Sequence, residues 1–138
     1  MSSKLLIVNY AYDDANTIFA HQKEIADRLS LSFSSTIVVS LLKGHDTPKE
    51  EKICTSKHYY IDWIEGNHIR NVFRAFRILV RLIFFDRPQV IFYHMTDSIA
   101  AIYSPFFRLL KVPQLFWYAH AANSIWFRIA KKFVTQII

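Results

Sequence analysis

Short apolar runs and longer stretches of helical periodicity alternate along the chain. "KLLIVNY" is apolar almost throughout and is closed by the turn formers of "DDAN", which predicts a buried strand. From Thr17 to about Leu31, Ile18, Ile25 and Leu29 recur at helical spacing, with Asn16 or Thr17 as the cap. "STIVVSLL" predicts a second strand and "KHYYIDW" a shorter third one, separated by the charged loop "KGHDTPKEEKICTS". A helix is predicted from about Asn67 to Phe85, ending at Asp86-Arg87-Pro88 because the residue before a proline disfavours the helical region. Beyond it come a strand in "QVIFYH", a helix over Asp97–Leu110 and a strand in "PQLFWYAH". A helix over Ser124–Phe133 and a strand beginning in "VTQII" follow. Pro105 falls inside the helical segment over Asp97–Leu110, where it either kinks the helix or shifts its start.

Strands that are apolar on both faces, separated by helices, belong to parallel sheets covered on both sides. The predicted class is therefore α/β, a doubly wound parallel sheet of about six strands. At 138 residues the chain makes one domain, 1–138. In such folds ligands gather at the carboxyl ends of the strands. Those ends carry Asn9-Tyr10, His94 and His120, and His21 lies one turn into the first helix, placed to face the same crevice. Asn16 before that helix and Ser124 at the head of the last one complete the candidates for substrate contact.

Each histidine fits two readings: a strand-end side chain hydrogen-bonded to a loop, or a group aimed at a ligand. His120 is the stronger functional candidate, because "WYAHAANS" sets it in a small-residue turn before a helix. A neutral imidazole there can accept a proton or bind a hydroxyl. His94, His120 and Asp97 are too few and too irregularly spaced for a zinc site, so no metal is expected. No glycine-rich phosphate loop and no nucleophile elbow occur.

Composition adds charge to this picture. The chain is 52% apolar with only two glycines, which excludes disorder, and its net charge of +6 favours an anionic partner. Lone Cys54 rules out an internal disulfide framework and points to a reducing, cytoplasmic compartment. No signal peptide or membrane span is read from the sequence, since "ILVRLIFF" is broken by Arg81 and a bilayer needs roughly 20 apolar residues. Arg70, Arg74, Arg77 and Arg81 fall on one narrow stripe of an otherwise apolar helix. Either they are the solvated side of a crossover helix, or they meet anionic headgroups while aromatic neighbours enter the interface. A nucleic acid could use the same charge, but no recognised module for it is present, and none is expected as partner.

"KLLIVNYAY" opening onto "IFAHQKEIADRL", then "DRPQVIFYH", then "VPQLFWYAH" followed by "SIWFRIAKKFVTQII", resembles the N-terminal half of a GT-B glycosyltransferase, most like the retaining family 4. In that family the middle stretch reads like "P-D-V-I-x-x-H" and the last strand commonly "V-V-T-x-S". The resemblance implies a Rossmann-like acceptor-binding domain for polysaccharide or glycolipid synthesis, working without a metal. It implies a catalytic role for His120, and cleft positions for His94 and the loop after the first strand. The chain holds no cofactor of its own, and the nucleotide-sugar donor belongs to a second domain or subunit. The acceptor is a sugar or lipid-linked sugar, and many members dock on membranes through a basic, aromatic surface. The sequence departs from the family in having "YDDANT" where glycines usually follow the first strand. "VTQII" is read as a strand cut off mid-domain, so the chain is expected to be incomplete and inactive alone. The alternative is a non-catalytic α/β membrane-adaptor module.

Overall fold

The first apolar run forms strand β1 (Lys4–Ala11), its side chains alternating between two buried layers. The computed structural model describes residues 3–11, 17–42, 56–119 and 123–138. Within them follow α1 (Thr17–Ser30), β2 (Ser35–Leu42), β3 (Ser56–Tyr60), α2 (His68–Arg81), β4 (Val90–His94), α3 (Asp97–Leu109), β5 (Gln114–Trp117), α4 (Ile125–Ala130) and β6 (Gln136–Ile137). The six strands make one parallel sheet in the order β3-β2-β1-β4-β5-β6. This is the doubly wound α/β architecture expected from the alternation of strands and helices.

Strand periodicity divides the core. Leu5 and Ile7 point to the face covered by α1, where they pack with Ala26, Val38 and Phe92. Leu6 and Val8 point to the opposite face, against Ala75 and Leu79 of α2, Ile99 and Tyr103 of α3, and Ala130 of α4. Buried polar groups are tied between neighbouring helices, as where the Tyr103 hydroxyl of α3 donates to the Ala75 carbonyl of α2 at 2.8 Å.

Element ends differ from the sequence expectation where side chains intervene. The third strand stops at Tyr60, because Asp62 adopts a left-handed backbone (φ 55°) and the ladder lapses after the Ile61 and Trp63 amides bond to β2. The long helix is α-helical only to Arg81, capped by Asn67, and closes through a π-helical turn over Leu82–Asp86. The turn ends at left-handed Arg87, whose N–H bonds the Leu82 carbonyl at 2.7 Å. The last helix stops at Ala130, and residues 131–133 turn back toward the sheet. Pro105 neither ends α3 nor delays its start, because burial of Ile99, Ala100, Tyr103 and Phe107 outweighs one lost helical hydrogen bond.

The π-turn delivers Asp86 into the protein, 3% exposed. Its two carboxylate oxygens accept from Lys57 Nζ and from the Tyr59 hydroxyl, both at 2.7 Å, while Lys4 Nζ donates to its carbonyl at 3.0 Å. The carboxylate in turn raises the Lys57 ammonium above its usual range, through the hydrogen bond first and the charge second. Edge strand β3 is thus pinned to the end of the helix that covers it. Asp86→Ala should therefore lower stability by about 1 kcal/mol in urea unfolding, since it removes the buried acceptor of the part-buried Tyr59 hydroxyl. Asp86→Asn should fall between alanine and the parent.

Candidate functional site

The sheet order turns at β1 and β4, whose chains leave toward opposite edges, and this opens a crevice at their carboxyl ends. The register pairs Val8 with Tyr93, so Asn9 and His94, each the next residue along, stand level with one another. Both belong to the face covered by α1, with Ile7 and Phe92 preceding them on that face. On the next strand, His94 pairs with Trp117.

His94 is 1% exposed. Its ring stacks on Trp117, with centroids 5.1 Å apart and planes at 20°. His21, delivered by α1, sits edge-on to both, 5.8 Å from the His94 ring and 6.2 Å from Trp117. Neither nitrogen of His94 has a hydrogen-bond partner among the described residues, and neither has Asn9 Nδ2. Asn9 Oδ1 accepts from the Ser40 hydroxyl at 2.6 Å, which fixes the amide. Gln22 Oε1 holds the end of β1 by accepting from the Tyr10 N–H at 3.0 Å and the Ala11 N–H at 3.4 Å. The crevice therefore holds a rigid aromatic wall and a neutral imidazole with unmet donor and acceptor capacity. Burial, with a smaller contribution from His21, pushes the His94 imidazole down to about 4, so it stays neutral at physiological pH.

The structure thus brings His21 and His94 together as the sequence suggested. Tyr10, at the end of β1, is exposed, and strand alternation turns its side chain to the face opposite Asn9 and His94. His120 and Asn16 lie outside the described residues. Ser124 caps α4, its hydroxyl accepting from the Phe127 N–H at 2.9 Å and donating to Asp97. Trp117 and Gln22 were not among the sequence candidates, whereas the sequence already marks Asn9 as a strand-end residue. Asn9 carried a signal, since Asn9 and Ser40 are polar interruptions of two otherwise apolar runs and prove to be register partners. Trp117 carried none, because an aromatic in a strand reads first as core. No group of three or more His, Cys, Asp or Glu side chains converges among the described residues.

A second feature lies on α2. Its buried side is Asn71, Ala75, Ile78 and Leu79. The opposite side is not polar: Ile69, Phe73, Phe76 and Val80 recur at intervals of four, three and four, and all are exposed, Ile69 at 88% and Phe73 at 69%. The arginines repeat the same intervals one residue later, about 100° around the helix, and so flank this apolar stripe. Phe84 and Phe85 of the π-turn extend it, Phe85 at 78% exposure, and Phe106, Leu109 and Leu110 of the α3 end lie exposed too, with Phe76 and Phe106 in contact at 5.7 Å. The four arginines do not act alike. Arg70 and Arg74 reach Asp62, at 3.3 and 3.7 Å, whereas Arg77 and Arg81 have no ion-pair partner among the described residues. No helix among them is long and apolar enough to cross a membrane.

No protein-family model matches the chain, and none of the curated proteins matches it.

The buried imidazole carries a pH signature. Below about 6.5 the unfolded chain takes up a proton at position 94 that the folded chain refuses until about pH 4. Stability should therefore fall as pH drops through that window, by up to about 3 kcal/mol from this residue. His94→Phe keeps the stack on Trp117 and removes the titration. Its urea-unfolding free energy should decline less steeply than the parent's between pH 6.5 and 4, and parallel curves would refute the assignment.

Proposed function

We propose that this chain is the acceptor-binding domain of a nucleotide-sugar-dependent glycosyltransferase of the GT-B kind, close to the retaining family 4, serving cell-surface polysaccharide or glycolipid synthesis. The observation that carries this reading is the pair of unmet polar side chains, Asn9 and His94, standing level at the turning point of the sheet beside an aromatic wall. Buried donors and acceptors without partners are costly, so a native site that keeps them is suited to a ligand that supplies both. A sugar does so, since each hydroxyl donates and accepts, and its apolar ring face suits the aromatic wall of Trp117 and His21. His94, held neutral, positions hydroxyls rather than taking protons. On this reading the proton-transfer role belongs to His120, and the donor sugar nucleotide is held by a separate domain or subunit. No metal takes part.

The acceptor reading predicts weak but specific binding of sugars. In ligand-detected NMR against a panel of free and lipid-linked glycans, the chain should select a subset. His94→Phe should weaken that binding about fivefold to tenfold, the effect of one lost neutral hydrogen bond. Absence of any glycan binding, or binding indifferent to His94→Phe in a folded variant, would sink it.

The outward apolar stripe of α2 supports a second element of the proposal: the domain works on the cytoplasmic face of an anionic membrane. An unpartnered face of this size, flanked by arginines on a chain of charge +6, matches the requirements of an interfacial helix. The same stripe would serve a non-catalytic membrane adaptor, and glycan binding separates the two. Vesicles rich in anionic lipid should sediment the protein and release it at high salt. Phe73→Ser with Phe84→Ser should cut binding at least tenfold, from the apolar area withdrawn from the interface. Unchanged binding by that variant would show that the stripe does not enter the bilayer.

A further inference from the structure

Between α2 and the outer edge of β3 lies a groove of about 380 Å³, lined by Tyr59, Tyr60, Arg74, Arg77, Ile78 and Arg81. We infer that this groove is a binding site for a phosphate monoester, carried either by an acidic lipid headgroup or by a soluble ligand. The phosphate chemistry stands on the groove itself; the lipid form rests on the membrane reading above.

Charge is the first reason. Three guanidinium groups share the groove at intervals of three and four residues, an arrangement in which like charges on one helix face repel. The neighbouring carboxylates do not balance them. Asp86 already accepts from Lys57 and Tyr59 with both oxygens. Asp62 is divided between Arg70 and Arg74, and its approach to Arg74 is the longer one. Arg77 and Arg81 are left without an ion pair among the described residues. An anion in the groove would turn mutual repulsion into shared attraction.

Geometry is the second. Guanidinium groups present paired N–H donors that match phosphate oxygens, and three of them around one concave site fit a compact dianion better than a single carboxylate. Tyr59 is held by its bond to Asp86, and pKa values raised chiefly by burial keep Tyr59 and Tyr60 in their neutral hydroxyl forms. Position is the third. The arginines flank the exposed stripe of Ile69, Phe73 and Val80, so a headgroup in the groove would leave its acyl chains beside the surface proposed to enter the membrane.

The test uses the whole chain in two arms. In the first, inorganic phosphate is titrated at constant ionic strength against a chloride control, following the arginine side-chain N–H resonances. Arg74, Arg77 and Arg81 should shift saturably, and Arg77→Lys with Arg81→Lys, which keeps the charge but loses the paired donors, should abolish the shift of the remaining Arg74. In the second, vesicles containing phosphatidic acid are compared with phosphatidylglycerol vesicles of matched surface charge. The parent should prefer the former about tenfold, and the double lysine variant should lose the preference while still binding both. A phosphate response without lipid preference assigns the groove to a soluble phosphate. No response in either arm, or a lipid preference that survives in the variant, overturns the site. A parent that binds phosphate but no vesicle of any kind overturns the membrane reading alone.

Discussion

The arrangement depends on β1, a strand buried on both faces and paired on both edges. Because β2 and β4 flank it in parallel, the chain must leave each strand at the carboxyl end and return over a face of the sheet. The connections run outward to opposite edges from this one strand. A parallel strand so enclosed must be apolar, which is why Leu5, Leu6, Ile7 and Val8 are all buried. The first polar side chain along it, Asn9, arrives where the strand ends and the crevice opens. Core and candidate site are therefore consecutive consequences of a single run of residues.

The two layers that cover this sheet are put to different uses. The layer under α1 ends at the crevice in His21, His94 and Trp117, an aromatic group whose packing holds the imidazole neutral. The layer under α2, α3 and α4 holds the larger core, yet α2 turns apolar side chains outward as well as inward. A helix packed on a sheet needs only one apolar side to be stable. Ile69, Phe73, Phe76 and Val80 therefore add nothing to the core and keep apolar area in water. The anionic membrane proposed above would cover that area, with the flanking arginines meeting its headgroups.

Asp86 ties the end of α2 to edge strand β3. A buried carboxylate is stable only with donors around it, and here they come from edge strand β3, while Lys4 at the start of β1 holds the Asp86 backbone carbonyl. The π-turn that places Asp86 also stops α2 in line with its last arginine. The groove between α2 and β3 follows from the same bonds, which hold Tyr59 and draw the acidic charge away from Arg77 and Arg81.

Periodicity alone determined the number and kind of elements, the parallel character of the sheet and the approximate ends of β1, β2 and β4, because these follow from side-chain alternation and proline stereochemistry within each segment. It also placed His21 and His94 at one end of the sheet, since topology decides where strand ends gather. Element ends set by distant partners were not legible: α2 yields to a π-turn where Asp86 reaches Lys57 and Tyr59, 29 and 27 residues away. Nor could local sequence separate the arginine stripe into two residues tied to Asp62 and two left facing a groove. That division depends on the left-handed turn at Asp62 and on how closely β3 approaches α2. The stacking of Trp117 on His94, and the burial that keeps that histidine neutral, likewise required the register between β4 and β5. Such features arise from contacts between segments, which no single segment encodes.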